Sequence, residues 1–374
     1  MYLKKIYLSN FRNYDELLLD FNSGINIIYG DNAQGKTNLL ESIYVLGLTK
    51  SHRSFIDNNL IKEGIKYSQI KGIISENEID TTYEIQLNTG KNKILKINED
   101  NIKRVNDYVS NINIIIFYPD DLELIKGSPS IRRRFINLEI SQLYSNYLNI
   151  LAEYNQILKM RNDYIKLINQ GQSVDMNYFQ VLTDYYIDKS ILIYQYRYKF
   201  IEKLNDISKK IFYDISLLDG FNIKYKTSFN FESYDNTDSM KNIISEKVKK
   251  IYSTEIKLKS TIYGPHKDDL EFYINDKNIK NYGSQGQQRM TVLAIKLAEI
   301  SIFKEITNKY PILLLDDVFS ELDEIRKNNL LKYIQHNIQT IITTTDLDNI
   351  DKSIKDDSKL IYIKNGSVID NEVN

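Results

Sequence analysis

The chain has 374 residues, 42% hydrophobic and 26% charged, which suits a globular protein built as one large domain with an insertion or as two lobes. With no cysteine and 3 histidines, a disulfide framework, a thiolate metal site and a thiol nucleophile are excluded, and little remains for a histidine metal cluster. The net charge of −1 makes no bulk electrostatic case for nucleic acid, so any such contact has to come from a local basic face.

The segment from Met1 to Phe11 alternates like a strand and lacks the apolar core of a signal peptide. No apolar run reaches transmembrane length, so a cytoplasmic protein with no membrane partner is expected. Period-two patterning predicts strands over Leu3–Leu8, Leu17–Phe21, Ile25–Tyr29, Tyr67–Ile74, Thr81–Leu87 and Ile112–Phe117, with a hairpin turn at Asn88–Gly90. Between Ile25 and Leu48 the period changes from strand to helix across a glycine-bounded loop. From about Pro129 to Ser253, apolar residues recur every three or four positions, which predicts amphipathic helices, among them Tyr178–Ile215 and Met240–Ile251. Gly171-Gln172-Ser173, Asp219-Gly220 and a polar loop near Ser233–Asp238 punctuate them, and no heptad repeat is long enough for an extended coiled coil. Beyond about Ser260, strands are predicted at Leu270–Ile274, Ile312–Leu315, Thr340–Thr344 and Leu360–Ile363, around a helix at Gln287–Phe303. The expectation is an α/β nucleotide-binding lobe from residues 1–128 and 260–374, split by a mainly helical lobe over 129–259.

Gly30-Asp31-Asn32-Ala33-Gln34-Gly35-Lys36-Thr37 has the spacing of a phosphate-binding loop, between a predicted strand and a predicted helix. Glycines let the backbone turn so that its N–H groups face phosphates; Lys36 adds a point charge, Thr37 a hydroxyl for Mg²⁺, and the helix start a positive dipole end. Downstream, Pro311-Ile312-Leu313-Leu314-Leu315-Asp316-Asp317 is an apolar strand ending in two carboxylates. Asp316 would hold Mg²⁺ and Asp317 would polarise the attacking water. Between the two, Gly283-Ser284-Gln285-Gly286-Gln287-Gln288-Arg289 opens a helix.

In this order the three motifs resemble those of the ABC/SMC class of P-loop ATPases, whose heads carry a long insertion between the loop and the acidic strand. The resemblance implies ATP and Mg²⁺ as cofactors. It also implies that Ser284, Gly286 and Gln287 contact a γ-phosphate held by a second subunit, and that Ser320-Glu321-Leu322-Asp323 crosses the dimer interface. Two departures stand out. The class places a γ-phosphate-sensing His after the next strand, where this chain has Ile341-Ile342-Thr343-Thr344-Thr345-Asp346, so a Thr hydroxyl is the available substitute and His336 lies earlier. The class also uses Glu where Asp317 stands, one methylene shorter, which suits slow hydrolysis.

Further segments are similar to the RecF family of bacterial recombination mediators. They are Leu8-Ser9-Asn10-Phe11-Arg12-Asn13-Tyr14, Lys50-Ser51-His52-Arg53-Ser54, Tyr118-Pro119-Asp120-Asp121-Leu122, Lys126-Gly127-Ser128-Pro129 with Arg132-Arg133-Arg134-Phe135, and Tyr263-Gly264-Pro265-His266-Lys267-Asp268-Asp269. The resemblance implies an ATP-dependent homodimer that binds double-stranded DNA or its junctions with single-stranded DNA, works with RecO and RecR in recombinase loading and the SOS response, and hydrolyses ATP weakly as a switch. Lys50, Arg53, Lys62, Lys66 and Lys71 are the candidates for a DNA-backbone face. Consecutive Arg132, Arg133 and Arg134 cannot all meet one partner, so at least one of them is expected to pair within the protein. His266 is placed either near the nucleotide or in a hydrogen bond between lobes. A transporter's energy-coupling subunit, an SMC-like tether and a nuclease fusion fit less well, given the helical lobe, the missing heptads and the absence of a further carboxylate cluster.

Overall fold

The computed structural model describes residues 1–54, 56–321, 327, 329–331, 334 and 338–369. The chain divides into two compact units, Met1–Asp121 with Leu293–Asn374, and Leu122–Val292.

The first unit holds two six-stranded sheets. One is antiparallel: β1 (Tyr2–Phe11), β2 (Tyr14–Asp20), β4 (Tyr67–Glu76), β5 (Ile79–Asn88), β6 (Ile94–Ile97) and β7 (Asp100–Ile102), in the order β2-β1-β4-β5-β6-β7. On β4, Ser68, Ile70, Gly72 and Ile74 are buried while Tyr67, Gln69, Lys71 and Ile73 are not, so one face alone is covered. The other sheet is parallel except at one edge: β3 (Ile25–Tyr29), β8 (Ile114–Phe117), β12 (Ile312–Asp316), β13 (Thr340–Thr344), β14 (Lys359–Lys364) and β15 (Ser367–Ile369), ordered β15-β14-β3-β13-β12-β8. Every residue of β8, β12 and β13 is buried, as a parallel sheet covered on both faces requires. The helix Lys36–Leu48 lies between the sheets. A Cβ added at Gly72 of β4 would sit 2.3 Å from Leu46, and one at Gly47 would sit 2.5 Å from Ile114 of β8, so glycine on each side permits the close approach.

The second unit contains the helices Pro129–Leu143, Tyr147–Asn169, Met176–Ser216 and Thr237–Leu258. It also contains a strand that the sequence reading lacked: β9 (Phe221–Lys226) pairs with β10 (Asp269–Ile274), and β10 with β11 (Lys277–Asn278). The pairing of β10 with β9 puts Asp269–Ile274 in this unit, which spans Leu122–Val292 where the sequence suggested 129–259. Buried ion pairs tie it together. The fully buried Arg161 donates to Glu255 Oε2 at 2.6 Å and to Thr261 Oγ1 at 2.6 Å. Arg197 donates to Pro265 O at 2.6 Å and Asp268 Oδ2 at 3.2 Å, and the Tyr225 hydroxyl reaches the same carboxylate at 2.6 Å. Among the described residues no helix is long and apolar enough to cross a membrane.

Candidate nucleotide-binding site

The loop between β3 and the helix Lys36–Leu48 is shaped by residues with left-handed backbone: Gly30 at φ +147°, Ala33 at +64° and Gly35 at +116°. Two of these have to be glycine. A Cβ at Gly30 would lie 2.3 Å from Ile363 O, and one at Gly35 would lie 2.7 Å from Asn13 Nδ2 and 2.9 Å from the Tyr14 hydroxyl. Lys36 is 8% exposed, and its ammonium donates to Gly30 O and Asp31 O, both at 2.7 Å. Burial lowers its pKa from the usual lysine range, opposed by the carboxylates of Asp317, Asp316 and Asp31.

Strand β13 runs between β3 and β12, so the acidic motif stands one strand away from the loop. At the carboxyl ends of these parallel strands, Asp316 Oδ1 accepts from Thr37 Oγ1 at 2.9 Å and from Thr343 Oγ1 at 2.7 Å. Open α/β sheets bind ligands at this edge. Thr343, on the strand where the sensor His was missing, thus touches the acidic motif. Asp317 has φ +52°, and its N–H donates to Thr343 O at 3.2 Å and Thr343 Oγ1 at 3.1 Å. His336, Leu322 and Asp323 lie outside the described residues, as do the side chains of Ser320 and Glu321.

These residues fit a nucleoside triphosphate with Mg²⁺. The ammonium of Lys36 is satisfied by carbonyls that phosphate oxygens can replace, and the helix start carries no side-chain cap. A hydroxyl and a carboxylate stand in contact at Thr37 and Asp316. Among the described residues no group of three or more His, Asp or Glu could hold a metal by itself, so an ion here would take phosphate oxygens among its ligands.

A polar cluster that the sequence reading missed supports the helix after the loop. Fully buried Glu41 accepts from Arg12 Nε at 2.9 Å and its terminal nitrogen at 2.8 Å, and from Ser51 Oγ at 2.5 Å. Burial opposes ionisation of Glu41, but these hydrogen bonds and the charges of Arg12 and Arg53 hold its pKa below the ordinary range. Arg53, a DNA-backbone candidate, reaches Glu41 at 3.5 Å and Asn38 Oδ1 at 3.0 Å. Of the other candidates, Lys62 pairs with Asp15 at 2.5 Å, and Lys71 stands opposite Glu84 on the less covered face of the antiparallel sheet. Lys50 and Lys66 are exposed. The signal for the Glu41 cluster was available, since Arg12, Ser51 and Arg53 all fall in the quoted family segments.

In the second unit, exposed Ser284 precedes the helix Gln285–Thr307, and the two ends of its first turn bond reciprocally. Gln287 N–H donates to Ser284 Oγ at 3.2 Å, and Ser284 N–H to Gln287 Oε1 at 2.9 Å, a capping box. Gly286 lies in the same turn. Arg132 forks onto Asp269 at 2.6 and 3.0 Å, and Arg133 donates to Asp268 O at 2.8 Å, so both pair inside this unit. His266 Nδ1 is 2.6 Å from the Tyr154 hydroxyl and Nε2 is 3.2 Å from Thr261 O. A carbonyl can only accept, so Nε2 carries the hydrogen and Nδ1 accepts from Tyr154.

The family model described as RecF/RecN/SMC N terminal domain matches residues 2–368. The chain is 41% identical to the DNA replication and repair protein RecF of Pediococcus pentosaceus over 367 residues, which is 98% of each chain. It is 41% identical to that of Staphylococcus aureus over 374 residues, which is 99% of this chain and all of the other. Among solved structures it is similar to the recombination mediator protein RecF with ATP in the RecFOR pathway, at a TM-score of 0.91 and 32% identity over 98% of this chain and 97% of the other. An Smc head bound to the C-winged helix domain of ScpA shares the fold, at a TM-score of 0.54 and 17% identity over 98% of this chain and 96% of the other.

Proposed function

The chain belongs to the RecF family of DNA replication and repair proteins, with an ABC-type ATPase head, and from this we propose that it is an ATP-dependent DNA-binding recombination mediator. The observation that carries the reading is the joining of Lys36, Thr37, Asp316 and Thr343 at one sheet edge. The N–H groups of the loop from Gly30 to Gly35, flanking Asp31, Asn32, Ala33 and Gln34, take the phosphates, with the Lys36 ammonium on the β- and γ-oxygens. Thr37 and Asp316 hold Mg²⁺, and Asp317 orients the water. Bound ATP supplies a γ-phosphate whose presence or loss distinguishes two states of the protein. Thr343 keeps the Asp316 carboxylate turned toward Thr37, so the pair is set before any ligand arrives. Weak hydrolysis then acts as a switch.

The helix start at Ser284, Gly286 and Gln287 takes the γ-phosphate held by a second copy, giving an ATP-dependent homodimer. Double-stranded DNA or its junction with single-stranded DNA binds the closed dimer, with RecR and RecO as partner proteins and recombinase loading at gaps as the outcome. This follows the RecFOR setting of the ATP-bound relative. Titration of a fluorescent ATP analogue tests the nucleotide site. Lys36→Met is expected to abolish binding while the protein still folds to one cooperative thermal transition, because the hydrogen bonds that Lys36 makes all go to carbonyls of the loop. A variant that binds ATP like the wild type sinks the placement of the phosphates.

A further inference from the structure

The phosphate loop is gripped from outside by two turns that belong neither to its strand nor to its helix. The β14–β15 hairpin turns through Asn365 and Gly366, both left-handed at φ 50° and 72°, the conformation that an Asn-Gly hairpin turn favours. Both N–H groups of this turn are aimed at one loop residue. Asn365 N–H donates to Gln34 Oε1 at 2.7 Å, and Gly366 N–H to Gln34 O at 2.9 Å. The β1–β2 turn adds Asn13, whose Nδ2 donates to the same Gln34 O at 3.3 Å while its Oδ1 accepts from Asn38 Nδ2 at 2.8 Å. The Tyr14 hydroxyl donates to Gly35 O at 2.9 Å. The assembly is tight: a Cβ at Gly366 would lie 3.0 Å from Asn13 O.

In a planar trans peptide the C=O and the N–H that follows it point in opposite directions. Holding the carbonyls of Gln34 and Gly35 outward therefore turns the N–H groups of Gly35 and Lys36 inward, to the side on which phosphates would sit. We infer that the Asn365–Gly366 turn, together with Asn13 and Tyr14, positions the phosphate-binding amides of the loop, so that the hairpin near the C-terminus is a working part of the nucleotide site. This rests on the reading of that loop as an ATP site.

The test is a double-mutant cycle read by ATP affinity. Gly366→Pro removes the N–H and cannot hold the left-handed turn, Asn13→Ala removes the side-chain donor, and Gln34→Met removes the side-chain acceptor. Equilibrium titration with fluorescent ATP is run on each folded protein, and thermal melting confirms folding. Gly366→Pro is expected to weaken ATP binding about tenfold, the loss of one or two hydrogen bonds, and Asn13→Ala to weaken it less. The double variant Gly366→Pro with Gln34→Met is expected to bind no more weakly than the worse single variant, because both act through Gln34. If Gly366→Pro fails to fold, the Asn13→Ala and Gln34→Met pair carries the same cycle. Lower melting temperatures with unchanged ATP affinity overturn the inference, as do losses that multiply in the double variant. A wild-type protein that binds no ATP overturns the underlying reading instead.

Discussion

At the scale of single residues, the segment Tyr263–Asp269 is a hub of the second unit, and its chemistry makes stability depend on pH. Burial lowers the His266 pKa from 6.5 to about 4. The folded protein holds this imidazole neutral, while the unfolded chain takes up a proton near pH 6.5. Its contribution to stability is therefore complete above pH 6.5 and is lost as pH falls from 6.5 toward 4. Burial raises Asp121 to about 6, and that group works in the opposite sense, since its folded form gains a proton first. A comparison with a variant isolates the histidine: between pH 7 and pH 5 the wild type is expected to lose about 2 kcal/mol more stability than His266→Gln, measured by urea unfolding. Equal pH slopes for the two proteins would show that the imidazole is not held neutral. The sequence left His266 open between a nucleotide contact and an interlobe bond. The segment turns inward because Gly264, at φ +139°, leaves room where a Cβ would lie 2.1 Å from the Tyr186 hydroxyl.

At the scale of elements, the helix after the phosphate loop is wedged between two sheets, and glycine sets the spacing on both sides. Gly72→Ala would drive a methyl into Leu46 and is expected to cost about 1–3 kcal/mol in chemical denaturation, as overpacking of a closed core does. Adding Leu46→Val should return part of the loss; no recovery would mean that the helix does not meet the sheet at this point. The parallel strands were legible because burial on both faces leaves unbroken apolar runs, as in Ile312–Leu315. Of the small sheet in the second unit, Leu270–Ile274 was legible and Phe221–Lys226 was not, although Asn222, Lys224 and Lys226 alternate with its apolar residues. That strand is short, stands among long helices, and its partner β10 follows more than forty positions later. The hairpins were hidden in another way. Asn77-Glu78, Asn98-Glu99 and Asn275-Asp276 are left-handed at both positions, but they carry an acid where a glycine would have announced the turn. At the candidate nucleotide site, spacing in the sequence singled out Lys36, Thr37, Asp316 and Asp317, and the fold brings Lys36, Thr37 and Asp316 to one sheet edge. The sequence offered a Thr hydroxyl on the strand of Thr343 without choosing among three, and it gave no sign of Asn13 or the turn at Asn365, because only the fold brings them to the loop.

At the scale of the whole molecule, the proposed homodimer assigns the exposed helix start at Ser284 to contact with a second copy. A long cationic side chain there would lose the cap and block the approach of another protomer. Ser284→Arg is expected to keep the affinity of each protomer for ATP yet to sediment as a monomer in its presence, under conditions where the wild type dimerises and binds a gapped duplex. ATP-driven dimers surviving in the variant would remove the signature helix from the interface.

The parallel sheet has a further consequence, for the order of synthesis. Strand β3 is made among the first residues of the chain, yet both of its neighbours, β13 and β14, are made among the last. A nascent chain that has already emerged past the phosphate loop still lacks the strands that flank it, and the acid at Asp316 is equally late. Such a chain carries the loop as an unpaired apolar strand for most of its time on the ribosome. A message cut short before Ile312 then yields a protein with the whole loop motif written in it and neither of the strands that flank β3.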